Sequence, residues 1–92
     1  MISYKNFPNH SGVYFFKDAA EKIIYIGKAK NLKNRISSYF SSDDFKVTEL
    51  LKVAKNIEYI KTDNEIEALF LEAHKIKSLL LLPLFLHQAA MH

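Results

Sequence analysis

The sequence predicts a small α/β (α+β) domain, a three-stranded antiparallel sheet flanked by helices in the order β-β-α-α-β-α. Three observations carry this. Two aromatic and β-branched runs, GVYFFK at 12–17 and KIIYIG at 22–27, are separated only by DAAE, a connection of hairpin length. A third run of the same kind, IEYIK, follows at 57–61. Around it, apolar residues recur at helical spacing.

Within the hairpin, pairing Lys17 with Lys22 sets Tyr14 opposite Tyr25 and Gly12 opposite Gly27. Directly opposed side chains lie about 5 Å apart, so the two tyrosines share one face of the sheet. Ala19-Ala20 is poor turn chemistry, which leaves a one-residue slip open. Asn31 is an N-cap for a helix reaching about Phe40, with Leu32, Ile36, Tyr39 and Phe40 at helical spacing. Residues 45–55 repeat that pattern more weakly through Val47, Leu50, Leu51 and Ala54. Thr62-x-x-Glu65 reads as a capping box opening a last helix, whose apolar stripe is Ile66, Leu69, Phe70, Ala73 and Ile76. Glu72 falls about a quarter-turn from the middle of that stripe, at the edge of the expected buried face.

A chain of 92 residues holds one small domain, and such a domain buries roughly 60–65% of its unfolded surface. Cysteine is absent, so neither disulfides nor cysteine-based zinc sites are available. The four histidines show no metal-ligand spacing. MISYKNFPNHSG has no apolar signal core, and LLLLPLFL at 79–86 is eight residues long where a bilayer span takes about 20. The expectation is a cytoplasmic protein with no membrane insertion. Net charge is +3, but its distribution is uneven. Lys22, Lys28, Lys30, Lys33 and Arg35 occupy 22–42 without an acid, whereas Asp63, Glu65, Glu67 and Glu72 occupy 63–72 without a cation. A positive stretch and an acidic helix in one small domain suit a polyanion held beside a metal ion.

These residue types have a common chemistry. Glycine at a strand exit lets backbone approach a ligand closely. The amides opening the Asn31 helix could meet a phosphate, and the planar fork of Arg35 could grip two of its oxygens. A lone carboxylate such as Glu72 suits magnesium, which retains several waters. Together they describe a phosphodiester hydrolase working by charge stabilisation. Each also has a plainer reading: a cross-strand aromatic pair, a solvated lysine face, an Arg35–Tyr39 packing contact at i,i+4, or a surface glutamate.

Gly12-Val13-Tyr14, ten residues, then Tyr25-Ile26-Gly27 resembles the GIY-YIG nuclease signature. GVYFFKDAAEKIIYIGKAKNLKNRISSYF is similar to the N-terminal nuclease domain of UvrC-type excinucleases, and TDNEIEALFLEAHKIK resembles a later helix of that domain. The likeness covers about 7–77. It implies a nuclease domain over 1–78 followed by an atypical apolar tail, 79–92.

The resemblance implies roles one residue at a time. Tyr25 would be the general base and Tyr14 would help position water and phosphate. Arg35 would stabilise charge developing on phosphorus. Lys28 matches the lysine after YIG, Tyr39 the tyrosine of SYF, and Glu72 the acidic metal ligand, holding Mg2+ or Mn2+. DNA would lie along Gly27, Lys28, Lys30, Asn31 and Lys33. A phenol is an awkward base at neutral pH, its ordinary pKa being about 10, so a neighbouring ammonium and a metal ion are what such a base needs.

The implied function is metal-dependent strand nicking of the type that makes the 3′ incision in nucleotide excision repair, with an excision-repair helicase and damage-recognition proteins as partners. One departure stands out. Where the family carries an asparagine near the active site, this chain has Leu84 or Leu86, depending on whether alignment runs straight through or on Pro-x-Phe. The alternative is therefore a catalytically impaired DNA-binding or protein-interaction module of the same fold. The apolar 79–86 segment would then favour self-association or cover a partner site.

Overall fold

The chain runs β1 (Gly12–Lys17), β2 (Ile23–Ala29), α1 (Leu32–Phe40), α2 (Phe45–Val53), β3 (Asn56–Lys61) and α3 (Glu65–Ser78) in a computed structural model that describes residues 6–78. This is the expected order of elements. The tail 79–92, with Leu84, Leu86 and the suggested self-association segment, lies outside the described residues. Among those residues, no helix is long and apolar enough to cross a membrane.

β1 is the central strand, antiparallel to β2 on one side and β3 on the other. Its side chains alternate between the two faces of the sheet. Tyr14 and Phe16 point towards α1, which buries Leu32, Ile36 and Tyr39 against them. Val13 and Phe15 point the other way, towards α3, where the Lys75 ammonium sits 6.0 Å from the centre of the Phe15 ring. Val13, Phe16, Ile26, Leu32 and Ile36 are fully buried, each contributing about 1.5–3 kcal/mol.

The hairpin register differs from the sequence expectation. Tyr14 pairs with Gly27 and Phe16 with Tyr25, while Gly12 pairs with Ala29. The turn explains the change. The Asp18 carboxylate accepts from the amides of Ala20 and Lys22, and Glu21 takes a left-handed φ of 64°. This asparagine-like use of Asp18 replaces the turn chemistry that the two alanines lack. A bulge between Phe16 and Lys17, where Lys17 pairs with Ile23, then moves the strands past one another. Along the strand body the displacement is two residues. An even displacement preserves side-chain facing, so Tyr14 and Tyr25 still share a face.

α3 also differs in which side it turns to the sheet. Its packed side carries Ala68, which is fully buried, with Leu71, Glu72, Lys75 and Ile76 part-buried. The expected stripe is largely turned outward, with Ile66 67%, Leu69 47% and Phe70 69% exposed. Periodicity shows which residues share a face but not which face meets the sheet. Here the entry to the helix sets the rotation. Ser11 and Thr62 are both buried and exchange hydrogen bonds, Ser11 Oγ to the Thr62 carbonyl at 3.0 Å and the Thr62 amide to the Ser11 carbonyl at 3.0 Å. With Thr62 engaged there, the helix is capped by Asn64, whose side chain accepts from the Glu67 amide at 2.8 Å, and Glu67 reaches back to the Asp63 amide. The helix N-cap is thus Asn64 rather than Thr62, and no Thr62/Glu65 capping box forms.

Candidate active site

Three phenols and one guanidinium meet between β1, β2 and α1. The Tyr14 and Tyr39 hydroxyls are 2.6 Å apart, and Tyr39 donates to Tyr25 at 3.2 Å. Arg35 donates through Nε to the Tyr14 hydroxyl at 3.3 Å, and its guanidinium carbon lies 5.2 Å from the centre of the Tyr39 ring. Arg35 and Tyr39 do pack together at i,i+4, and the same contact places the guanidinium beside the phenols. Phe16 forms the floor, edge-on to Tyr14, Tyr25 and Tyr39 with centroids 6.0, 5.8 and 5.1 Å away. Sequence reading missed this residue, although its place two residues after Tyr14 puts it on the same face.

Gly27 is where it is because Tyr14 lies against it. A Cβ added at position 27 would overlap the Tyr14 ring and hydroxyl. Its φ is not positive, so space rather than backbone freedom is the requirement. Gly27→Ala is accordingly expected to destabilise the domain by about 3 kcal/mol, the upper end for overpacking a core. Urea unfolding monitored by circular dichroism measures it.

Burial and the neighbouring Tyr25 push the Tyr14 hydroxyl up from 10.0 to about 12, against the pull of its hydrogen bonds to Tyr39 and Arg35. Tyr39 is pushed higher still, chiefly by burial and then by the other two phenols. The hydrogen bond to Tyr14 raises the Arg35 guanidinium above its ordinary value, so it remains a cation. These shifts favour the phenol over the phenolate in the folded state. The stability they confer is complete below pH 10 and is lost as pH rises from 10 towards 12. Urea midpoints measured from pH 8 upward should fall across that window, and fall less in Tyr14→Phe.

On the other side of the sheet, Glu72 is part-buried against β2. Burial raises its carboxyl above the ordinary value, while the Lys28 ammonium and backbone amide pull it down. Lys28 pairs with Val13 and directly follows Gly27, against which Tyr14 packs. Tyr14 thus lies against Gly27 on one face, and the carboxylate on the other interacts with Lys28, the next residue of β2. Among the described residues no three acidic or histidine side chains cluster to form a closed metal cage. One part-buried carboxylate with solvent beside it fits a magnesium-type ion that keeps most of its waters.

Lys28, Lys30, Lys33 and Arg35 are exposed along the exit of β2 and the start of α1. The ion pairs of the described residues lie elsewhere, at Lys17–Glu58, Lys17–Glu21 and Lys52–Glu49. The α1 amides do not behave as expected. Leu32 and Lys33 donate to the carbonyls of His10 and Pro8 at 2.8 and 3.0 Å, and Asn34 and Arg35 donate to the Asn31 side chain and carbonyl. With all four first-turn donors partnered inside the protein, that helix end offers no ready phosphate cradle. The Asn31 amide nitrogen is also engaged, with Asn9 at 3.2 Å.

Comparison with known proteins identifies the family. Residues 10–83 match the UvrC-like GIY-YIG domain. UvrABC system protein C of Dictyoglomus thermophilum is 55% identical over 73 residues, covering 79% of this chain and 12% of that protein. Its counterpart in Treponema denticola is 58% identical over 71 residues, covering 76% of this chain and 11% of the relative. The chain thus spans about an eighth of the length of these relatives. Among solved structures, the GIY-YIG N-terminal endonuclease domain of UvrC from Thermotoga maritima, bound to magnesium as its catalytic divalent cation, superposes with a TM-score of 0.76. It is 43% identical, and the match covers 82% of this chain and 83% of that one. The three-stranded antiparallel sheet with its three helices is the fold they share. The chain belongs to the UvrC-like GIY-YIG domain family.

Proposed function

We propose that this chain is a metal-dependent DNA endonuclease that hydrolyses one phosphodiester bond to nick a strand, of the type that makes the 3′ incision in nucleotide excision repair. The observation that carries the reading is the cluster between β1, β2 and α1, three linked phenols with a guanidinium held against two of them, on the strand whose Lys28 interacts with a half-buried carboxylate. In this reading the Tyr25 hydroxyl first loses its proton to solvent, and the phenolate so formed takes the proton of the attacking water, with Tyr14 and Tyr39 supporting it. Arg35 stabilises the charge developing on the phosphate oxygens, and Lys28 stands beside them. Glu72 holds magnesium or manganese, which when bound would supply Lewis-acid stabilisation of the phosphate. Gly27, Lys28, Lys30, Asn31 and Lys33 border the track for the DNA, where binding would weaken steeply with salt.

The names of the relatives support a wider setting, in which the chain works with an excision-repair helicase and damage-recognition proteins in the cytoplasm. A chain without cysteine suits that reducing compartment. The test is nicking of supercoiled plasmid with magnesium or manganese, run beside Glu72→Ala. Metal-dependent nicking that disappears in the variant is the expected result. DNA binding without nicking, in the presence of the delivery partners, would instead favour a non-catalytic module.

A further inference from the structure

The approach to α3 is tied down by two buried hydroxyl residues, Ser11 just before β1 and Thr62 just after β3, 51 residues apart in the chain. Ser11 Oγ donates to the Thr62 carbonyl at 3.0 Å, and the Thr62 amide donates to the Ser11 carbonyl at 3.0 Å. The Thr62 hydroxyl donates to the Asn64 carbonyl at 2.9 Å, with the Ser11 hydroxyl oxygen 3.3 Å away. That same Asn64 carbonyl accepts the Ala68 amide at 3.1 Å, the first rung of the helix. The clasp therefore holds the atom from which the α3 ladder starts, as well as the chain leading to it.

From Asn64, one side of the helix carries Ala68 and then Glu72, each four residues further on. Ala68 is fully buried, and the Glu72 carboxylate accepts from the Lys28 amide. Apolarity alone favours a different seat. The exposed Ile66, Leu69 and Phe70 lie about 100–200° round the helix from Ala68. Turning that stripe inward would bury larger side chains than Ala68, and would carry Glu72 away from β2. Small rotations matter too. Side-chain ends lie about 5–6 Å from a helix axis, so a rotation of about 20° moves a carboxylate by about 2 Å. That is enough to break a hydrogen bond to a backbone amide.

We propose that Ser11 and Thr62 are positioning residues for the divalent metal. Their clasp sets the rotation of α3 that brings Glu72 to Lys28, and holds it against the pull of the helix's own apolar stripe. The proposal builds on the reading of Glu72 as the carboxylate that holds the ion. Asn64 and Glu72 are about 12 Å apart along the axis, so the helix transmits the constraint as a rigid rod.

Mn2+ affinity of the free protein, from water-proton relaxation enhancement, reads the placement of Glu72 without reference to nicking. Thr62→Val and Ser11→Ala should each weaken it about tenfold, the lower end for residues that hold a metal ligand in place. Thr62→Ser, which keeps the hydroxyl, should stay within about twofold of the parent. The Lys28 amide resonance should shift in the first two variants as it does in Glu72→Ala. Phe70→Gln in the Thr62→Val background should recover most of the lost affinity, because it weakens the competing seat. Lower thermal stability with Mn2+ affinity and the Lys28 resonance unchanged would make the clasp merely structural and overturn the proposal. A loss of affinity that Phe70→Gln does not relieve would also overturn it. Should Thr62→Val not fold, Ser11→Ala, which keeps the backbone bond between the two residues, is judged by the same two readouts. Mn2+ binding that survives Glu72→Ala contradicts the metal reading instead, and the Lys28 resonance still decides whether the clasp sets the rotation.

Discussion

Tyr25→Phe is expected to fold, to bind DNA within a few-fold of the parent protein, and to nick it about a thousandfold more slowly or not at all. The fold should survive because the ring packs edge-on against Phe16 and Tyr39, contacts a phenylalanine keeps. Binding should survive because the exposed cations Lys28, Lys30 and Lys33 are untouched. What disappears is the oxygen that accepts from Tyr39, and removal of a general base costs about 10²–10⁴ in rate. Single-turnover nicking beside a fluorescence-anisotropy titration separates the two effects. Parent-like cleavage by the variant would take Tyr25 out of the chemistry.

Arg35→Ala is expected to lower kcat by about 10²–10³, the effect of removing one oxyanion donor. The guanidinium is doubly held, by Nε on the Tyr14 hydroxyl and by its place over the Tyr39 ring, contacts that use neither outer nitrogen as a hydrogen-bond donor. Arg35→Lys should not restore the rate. An ammonium has neither a planar face to stack nor a second fork to offer a phosphate. Recovery of most of the activity by lysine would mean that charge alone suffices. An unaffected kcat with a raised KM would place Arg35 in binding only.

The sequence was informative where pattern and chemistry coincide, and silent where long-range geometry decides. Six elements in their correct order follow from β-branched runs and helical spacing, and Asn31 caps α1 as expected, accepting from the Asn34 amide. The hairpin register did not follow, because Asp18 and the left-handed Glu21 make a turn that Ala19-Ala20 conceals. The face that α3 presents did not follow either. Its most apolar stripe looks outward, and Ala68, with the smallest side chain available, lets the helix lie close on the sheet. Glu72 still lands at a part-buried edge, beside Lys28, since it borders the packed face as well as the apolar one. The candidate site was legible as a set of residues: Tyr14, Tyr25, Arg35 and Tyr39 do meet. Their linkage was not, because hydroxyl contacts of 2.6 and 3.2 Å depend on a register that the turn sets. Helical spacing likewise could not show that the α1 amides would be occupied by the carbonyls of Pro8 and His10.

The central proposition is that the carboxylate on α3 and the phenols facing α1 serve one reaction centre at the end of β2. Paramagnetic broadening by substoichiometric Mn2+, read in NMR spectra of the free protein, tests it most directly. Broadening of both the Lys28 amide and the Tyr25 ring signals, abolished in Glu72→Ala, is the expected result. Glu72-dependent broadening that leaves Tyr25 sharp while affecting only the outer residues of α3 would separate the metal from the phenols and contradict it.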